Sequence, residues 1–317
     1  MIIFSDSIEY ADILFSNLGE WNSGKATGLD PDKIPEQLFK GLYGDKKVLK
    51  TSKESKTCWQ YAFLVENASA SHYDLLLELS REGTVLPDRT LCLASSGSKF
   101  HGQRNRPWAA VPGNIHLTVV LKPERKVNNF QACFPALAAV SVVEAIDGIK
   151  GLFGRAGIKW VNDVVIDEVK MAGFIAHSLC LEGLIQIAFL GIGLNVETTP
   201  EVESSRFVPE VGSLGDFYDR VDTCRQSDVL HRLLKALDRN YEAMLRGEWK
   251  AIIEVYRQRS LVLGREVTIF SDPVNKKQKE IYAGRVIGIG NNLELYLEGQ
   301  EKPVYAGRLV FKKMKPS

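Results

Sequence analysis

The feature that most constrains this chain is a change in its hydrophobic pattern near residue 262. Between Trp59 and about Leu190, apolar strand-like segments alternate with helix-like segments, which is typical of a sheet covered by helices. Beyond residue 263, short alternating segments are separated by Gly, Asn and Pro, which is typical of a small β barrel. The sequence therefore predicts an α+β or α/β fold for the large part, followed by a small C-terminal β part.

Five segments of the large part have a clear pattern. Three are predicted as strands: YAFLVE at 61–66, LCLAS at 91–95 and HLTVVL at 116–121. Two are predicted as helices, His72–Arg81 and the long apolar segment Phe134–Ile149.

The rest of the large part is predicted from turns and apolar spacing. Residues 157–166 and 170–176 are interpreted as a hairpin around an acidic turn at 167–168. A further strand is expected at Leu184–Ile192, and residues 227–257 have the apolar spacing of a helix that closes the core.

We therefore divide the chain into three. Residues 1–55 are an N-terminal extension of unknown role, residues 56–262 the main domain and residues 263–317 the barrel. The extension lacks the pattern of two short helices around a glycine turn with basic recognition residues, so no helix-turn-helix is expected.

Charge and cysteine content limit the partners and the compartment. The 40 Lys and Arg residues nearly cancel the 39 Asp and Glu residues, so a net charge of +1 gives no overall field for nucleic acid or an anionic membrane. The first residues lack a basic segment and a cleavage site, and no run approaches the ~20 apolar residues of a membrane span. The 5 cysteines form no CxxC pair, which argues against a disulfide framework or a zinc site. We expect a cytoplasmic protein.

A first candidate site lies in FHGQRNRPW at 100–108. A glycine among polar and cationic residues before a strand suits a loop whose donors fold over phosphate or carboxylate oxygens. The candidates are Gly102, Gln103, Arg104 and Arg106, with Trp108 as the anchor. The alternative is a solvated basic loop beside a core tryptophan.

A second candidate site is KWVND at 159–163 with Lys170 a hairpin away. An enzyme that joins ATP to a carboxylic acid must bring two anions together, which requires cations at the reacting phosphorus. Lys159 and Lys170 supply such charges, Asn162 a polar side chain, and Asp163 a carboxylate for a magnesium ion or for orienting a neighbour. The alternative is a surface hairpin with ordinary salt bridges.

A third candidate site is GIGLN at 191–195. Gly191 and Gly193 allow the backbone to approach a ligand closely, and Asn195 adds an amide. No GxGxxG fingerprint is present, so a dinucleotide site is not expected. The alternative is an ordinary strand that ends in a glycine turn.

Taken in this order, these segments resemble the biotin protein ligase family over roughly residues 59–312. The family's loop Gly-Arg-Gly-Arg-x-x-Arg-x-Trp is similar to residues 100–108, and its Lys-Trp-Pro-Asn-Asp motif is similar to 159–163. Its Gly-x-Gly-x-Asn strand is similar to 191–195. The resemblance implies a class II synthetase-like mixed sheet flanked by helices, the biotin ligase catalytic domain, and a C-terminal SH3-like β barrel.

The resemblance also implies substrate-binding residues. The family's Ser-Thr-Asn segment is loosely similar to residues around Ser69 and Ser71, and its Ser-Pro-x-Gly-Asn-Leu-Tyr-Leu-Ser segment to residues 110–118, which include Gly113 and Asn114. His116 then stands where an aromatic residue walls the biotin tail.

Lys170 corresponds in the resemblance to the lysine that contacts the biotin carboxylate and phosphate, and Gly173 to one of a small pair beneath the bicyclic ring. Lys170 and Arg106 are the implied stabilisers of phosphoryl charge. Asp163 is the implied group that deprotonates or orients the incoming amine.

The loop departs from the family pattern at three positions. Phe100 and His101 replace the first glycine and arginine, and Gln103 replaces the arginine that helps to retain the adenylate. Arg104, one position later, is the candidate substitute.

The function implied is that of a biotin protein ligase, which uses ATP with Mg²⁺ to form biotinyl-AMP and transfers biotin to a lysine of a biotin carboxyl carrier protein domain. Neither nucleic acid nor a membrane is an expected partner, and pairing into a homodimer is left open. Two alternatives remain: a lipoate or octanoyl protein transferase, and a non-catalytic homologue that binds biotin or an adenylate. The absence of an Arg-Arg-x-Gly-Gly-Gly segment and of a cysteine in the matched motifs argues against the first.

Overall fold

The computed structural model describes residues 1–23, 34–54, 57–127, 129–203, 207, 210–218, 225–272 and 279–312. Within these ranges the strands are β1 Ile2–Ser5, β2 Asn22–Ser23, β3 Leu49–Ser52, β4 Tyr61–Ala68, β5 Thr90–Gly97, β6 Ile115–Leu121, β7 Gly157–Lys159, β8 Asp163–Ile166, β9 Val169–Leu181, β10 Leu184–Leu194, β11 Glu266–Phe270, β12 Glu280–Ile289, β13 Leu295–Leu297 and β14 Arg308–Phe311. The helices are α1 Ile8–Leu14, α2 Glu36–Tyr43, α3 His72–Arg81, α4 Phe130–Asp147, α5 Gln226–Leu245 and α6 Trp249–Gln258.

The large sheet is mixed and has the strand order β2-β3-β1-β4-β5-β6-β10-β9-β8-β7. Strands β1, β4 and β5 are parallel, with α3 forming the crossover between β4 and β5, and all other neighbours are antiparallel. This arrangement places the long β9–β10 hairpin beside β6, where the candidate motifs lie.

Both faces of this sheet are covered by helices. Successive residues of a strand point to opposite faces, so Ala62 and Leu64 pack with α1, α4 and α5, whereas Phe63 and Val65 pack with α2 and α3. Three layers follow, with the sheet in the middle. The predicted α+β class, a mixed sheet flanked by helices, is confirmed.

Helix α4 is apolar on every side and lies in the core between the sheet and α5. By length and composition it is the one helix in the described ranges that could cross a membrane, but 72% of it is buried inside the protein. A helix buried all round needs apolar residues on every face, which accounts for its composition.

The N-terminal residues take part in the large sheet. The sequence analysis had instead divided residues 1–55 from the main domain. Strand β1 pairs in parallel with β4 and antiparallel with β3, and Phe4 belongs to the core beneath α2. The hydroxyl of Tyr43 donates to the carbonyl of Phe4 at 3.0 Å. The predicted boundary at residue 55 falls outside the described residues.

Two predicted elements are each divided in the structure. Residues 157–166 form β7 and β8 with a turn at 160–162, and the predicted helix at 227–257 is α5 and α6 with a break at Gly247. Gly247 has a φ of 83°, a conformation that glycine adopts without strain and that ends α5.

The C-terminal strands form a separate antiparallel sheet in the order β13-β12-β11-β14, which fits the predicted SH3-like domain. It is joined to the main part by a hydrogen bond from the Trp160 indole N–H to the Leu293 carbonyl at 2.6 Å, and by one from Arg257 to the Ile289 carbonyl at 2.8 Å. The domain boundary at 262 stays a prediction.

Cys58, Cys92, Cys133 and Cys180 are free thiols, and Cys224 lies outside the described residues.

Candidate active site

A cavity of about 490 Å³ opens between the loop at 100–108, the β9–β10 hairpin and the start of β14. Thirteen of the residues predicted for the site line it: Ser71, Gly102, Gln103, Arg106, Trp108, His116, Asn162, Asp163, Lys170, Gly173, Gly191, Gly193 and Asn195. The three candidate motifs, which lie far apart in sequence, therefore meet at one place.

The loop that covers this cavity is a short hairpin. The Gly102 N–H donates to the Arg106 carbonyl at 2.8 Å, and the Trp108 N–H donates to the Phe100 carbonyl at 2.9 Å. Gln103 faces the cavity, whereas Arg104 is exposed, has a left-handed φ of 57° and does not line the cavity. The structure therefore places Gln103, and not Arg104, at the position facing a ligand.

Trp108 anchors the loop through its ring. Its indole N–H donates to Nδ1 of His116 at 3.3 Å, while Nε2 of His116 lies 3.0 Å from the Val111 carbonyl. Burial lowers the pKa of His116 to about 4, so the ring is neutral, accepting at Nδ1 and donating at Nε2. A Cβ atom on Gly193 would collide with the indole, which explains the glycine on β10.

Cationic groups gather at the cavity. Nζ of Lys170 lies 2.7 Å from Oδ1 of Asp163 and 5.7 Å from the centre of the Trp108 ring. Arg308, at the start of β14, also lines the cavity, and Nη1 of Arg106 lies 3.7 Å from Oδ2 of Asp272.

The environment of these cations favours an anionic ligand. Burial lowers the pKa of Arg308, and the nearby charge of Arg106 lowers it further. Burial also lowers the pKa of Lys159, with Lys170 and Arg308 adding to the effect. Because Arg308 lines the cavity with its charged form in an unfavourable setting, an anion bound beside it would be stabilised.

Asn195 presents an acceptor that the described protein atoms leave unused. Its side-chain amide donates to the Gly212 carbonyl at 2.9 Å, but its buried Oδ1 has no hydrogen-bond partner among the described residues. A ligand donor would satisfy this oxygen.

Five predicted site residues do not line the cavity. Lys159 lies with its Nζ 5.9 Å from the ring centre of Phe311, and Arg104 points away as described. The Ser69 carbonyl accepts from the Ser98 hydroxyl at 2.8 Å.

Gly113 and Asn114, the remaining two, belong to a turn that supports the site. Asn114 is fully buried, its Oδ1 accepts from the backbone N–H groups of Val196 and Thr198 at 2.8 and 3.2 Å, and its Nδ2 donates to the Thr198 carbonyl at 2.8 Å. It ties β6 to the segment after β10 instead of facing the cavity.

Sequence reasoning assigned no ligand contact to several residues that line the cavity, among them Tyr73, Phe100, His101, Phe174 and Arg308. Phe100 and His101 were visible as departures inside the matched loop, and Arg308 lies within the range 59–312 of the resemblance but in none of the motifs compared. Tyr73 and Phe174 had no signal beyond being neighbours of predicted residues.

Asp163 is the predicted magnesium ligand. No group of three or more His, Cys, Asp or Glu side chains suited to a metal exists within the described ranges. Mg²⁺ is commonly held by one or two carboxylates together with substrate phosphates, so Asp163 fits this ion as one ligand beside a bound nucleotide.

Comparison with known proteins agrees with this geometry. Residues 71–195 match the model of the biotin/lipoate A/B protein ligase family. A bifunctional ligase/repressor BirA of Bacillus spizizenii is 24% identical over 225 residues, which is 69% of this chain and 65% of that protein. A biotin–[acetyl-CoA-carboxylase] ligase of Paracoccus denitrificans is 30% identical over 157 residues, 47% of this chain and 65% of that protein. The chain thus spans 65% of the length of these two relatives.

Solved structures show the same fold. A biotin protein ligase from Aquifex aeolicus in complex with biotin and ATP has a TM-score of 0.60 at 18% identity, covering 81% of this chain and all (100%) of that one. A biotin protein ligase-like protein of unknown function from a Silicibacter species has a TM-score of 0.54 at 12% identity, covering 77% and 92%.

Fold and cavity together define the class: an α+β protein with the biotin ligase fold and a small C-terminal sheet. Within that class, residues 71–195 of the chain are similar to the biotin/lipoate A/B protein ligase family.

Proposed function

We propose that this protein is a biotin protein ligase, which activates biotin with ATP and transfers it to a lysine of a carrier protein. The observation that carries the proposal is the meeting of the basic loop ending at Trp108, Lys170 on β9 and the two glycines of β10 around one cavity. The named ligase relatives and the biotin and ATP bound in the Aquifex structure support it.

The cationic side of the cavity suits the phosphates. Lys170, Arg106 and Arg308 face it from three different segments, so a nucleotide and a carboxylate can be held together against mutual repulsion. In the proposed roles Lys170 lies between the acid and the α-phosphate, and Arg106 and Arg308 hold the remaining phosphoryl charge.

The other side suits the organic part of an acid. Tyr73, Phe100, Phe174 and Ile175 present apolar surface, and the absence of side chains on the β10 glycines gives a ring room to lie against the sheet. Apolar walls with a few placed polar groups are typical of small-molecule sites.

The proposed chemistry has two steps. A biotin carboxylate oxygen attacks the α-phosphorus and pyrophosphate leaves; the amine of the carrier lysine then attacks the acyl carbon and AMP leaves. The protein contributes position, charge and exclusion of water, because the mixed anhydride already carries a good leaving group. Asp163 orients the incoming amine or accepts its proton, and Trp108 keeps the loop in place.

Mg²⁺, when bound beside Asp163, would neutralise phosphate charge during the first step.

We further propose a biotin carboxyl carrier protein domain of a carboxylase as the acceptor and the cytoplasm as the location. The lack of nucleic-acid and membrane partners and the pairing of two copies stay predictions.

The test supplies the purified protein with ATP and either biotin or lipoate and follows pyrophosphate release. Release with biotin, and labelling of a carrier domain but not of its Lys→Arg variant, would support the proposal. Release with lipoate alone would favour the transferase alternative. Biotin binding without any pyrophosphate would favour the non-catalytic homologue.

A further inference from the structure

A buried imidazole lies beside the cavity at the start of α3. His72, the first residue of that helix, is 2% exposed, and neither its Nδ1 nor its Nε2 has a hydrogen-bond partner among the described residues. Burial, and then the nearby His116, lowers the pKa of His72 to about 4, so the ring is neutral near pH ~7. A neutral imidazole carries one N–H donor and one bare nitrogen acceptor, and both are available to a ligand here.

The His72 ring lies directly behind the wall of the cavity. Its neighbours in sequence, Ser71 and Tyr73, both line the cavity, and so does Phe100, whose ring centre lies 6.0 Å from that of His72. The Phe100 ring also lies 5.9 Å from the ring of His116, a further lining residue. His72 itself does not line the cavity. A displacement of the Phe100 ring, which the covering loop carries, would bring the His72 imidazole into it.

The two ring nitrogens need an explanation other than packing. Buried polar atoms are seldom left without a partner, because each has lost its hydrogen bonds to water. A phenylalanine at this position would pack against Phe100 without that cost, so packing alone does not favour histidine. An imidazole next to a cavity fits a ligand whose own donor and acceptor complete its hydrogen bonds.

We propose that His72 binds the head group of the acid once the Phe100 ring turns aside, and that it favours an acid whose ring carries N–H and C=O groups over one whose ring is apolar. This inference rests on the proposed ligase function and adds the residue that selects the acid. The cyclic urea of biotin offers N–H donors and a carbonyl acceptor to the imidazole, whereas the dithiolane ring of lipoate offers neither. The covering loop has to open for an acid to enter, and that motion carries Phe100 with it.

Calorimetric titration compares the binding of biotin and of lipoate by the native chain, His72→Phe and His72→Gln. Phenylalanine keeps a ring against Phe100 but removes both hydrogen-bonding atoms, so we expect the Kd for biotin to rise about tenfold and that for lipoate to change less than about twofold. His72→Gln restores a donor and an acceptor and should recover part of the lost affinity for biotin. An unchanged Kd for biotin in His72→Phe, or an equal loss for the two acids, would overturn the proposal.

Tyr10→Phe is the matched control. The Tyr10 hydroxyl, in α1 on the opposite face of the sheet, is also buried with no partner among the described residues, but it does not line the cavity. Its removal should leave both Kd values as in the native chain. Thermal unfolding tests the premise, because an apolar ring in place of an unpaired polar group should not lower the midpoint in either variant. A large drop in His72→Phe alone would show that the imidazole serves the fold, and would overturn the proposal.

Imidazole ¹⁵N NMR of the full chain separates failure of this inference from failure of the proposed function. The His72 signal, assigned by its loss in His72→Phe, should move when biotin is added and stay in place with lipoate. That result without pyrophosphate release from any acid would reject the ligase and keep the His72 contact. An active biotin ligase whose His72 signal does not respond would reject the contact alone. Binding of neither acid by the native chain would overturn both.

Discussion

Lys170 lies where the proposed reaction concentrates negative charge. Its ammonium group contacts Asp163 at 2.7 Å and lies above the Trp108 ring, inside the cavity. Lys170→Ala removes the cation placed between acid and phosphate, so we expect adenylation to slow by about 10²–10³-fold. Pyrophosphate release at saturating biotin and ATP measures the effect. Lys235→Ala, at an exposed position of α5, should keep the native rate, and a fully active Lys170→Ala would remove Lys170 from its proposed role.

Gly193 is predicted to be intolerant of even one methyl group. An added Cβ would collide with the Trp108 indole and push the anchor of the loop out of place. We expect Gly193→Ala to lower the free energy of unfolding by about 1–3 kcal/mol and to weaken biotin binding. Gly288→Ala is the control, because its added Cβ meets no atom closer than 3.7 Å. Denaturant unfolding and calorimetry check both, and equal behaviour of the two variants would contradict the prediction.

The sequence identified Lys170 and Asp163, which line the cavity, but it did not indicate how neighbouring side chains are oriented. The residue types at Lys170 and Asp163 suit phosphoryl chemistry wherever the hairpin lies, so composition and spacing suffice. Which of Gln103 and Arg104 faces the cavity depends on the left-handed φ of 57° at Arg104. This backbone angle cannot be predicted from a single sequence. Asn114 binds backbone groups in the structure, and its substrate-binding role stays a prediction, because a buried amide that satisfies backbone groups and one that binds a ligand have the same sequence signature.

The junction between β6 and the segment after β10 depends on one side chain. Asn114 satisfies the N–H groups of Val196 and Thr198 and the carbonyl of Thr198. Asn114→Ala would leave the buried N–H of Val196 and the partly buried N–H and carbonyl of Thr198 without this partner, and we expect a loss of about 1–3 kcal/mol in the free energy of unfolding. Asn22→Ala, at an exposed position of β2, should change it little. Thermal and denaturant unfolding measure both, and a native-like Asn114→Ala would show that the contacts contribute little.

Elements were predicted best where their apolar pattern was long. Helix α3 has the predicted bounds, and α4 begins at Phe130, four residues before the expected start at 134. The segment 157–166 was predicted as one strand, because the turn at 160–162 contains Trp160 and Val161, which have a strong β preference. Trp160 turns toward the C-terminal sheet instead, a tertiary contact that local preference does not reveal.

For the molecule as a whole, the place of the N-terminal residues in the large sheet is what the sequence did not indicate. The sequence analysis gave these residues no role, but β1 inserts between β3 and β4. The four-residue strand β1 pairs with β4, which lies some 60 residues away in the sequence. Neither hydrophobic periodicity nor composition indicates such a long-range contact. The mixed sheet and the C-terminal sheet were predicted because each has its own repeating pattern.

The two sheets meet at the cavity, and Arg308 is the side chain that the smaller sheet contributes to its lining in the described ranges. Burial and the nearby charge of Arg106 lower the pKa of Arg308, and the side chain lines the cavity, where it is placed to meet an anion. We expect Arg308→Ala to weaken binding of a non-hydrolysable ATP analogue by about tenfold, which corresponds to the loss of roughly one charge-assisted hydrogen bond. Binding of biotin alone and the free energy of unfolding should stay near their native values.

Calorimetric titration with each ligand checks this. Arg285→Ala on the same sheet is the control, since the Arg285 side chain is 56% exposed and its Nε lies 3.6 Å from Oε1 of Glu266. The loss in Arg308→Ala should shrink as salt is raised, because added ions screen the charge that the alanine removes. Equal losses for the ATP analogue and for biotin would mean that the smaller sheet acts by holding the whole cavity in shape, whereas a loss confined to the nucleotide assigns Arg308 a direct contact with phosphate.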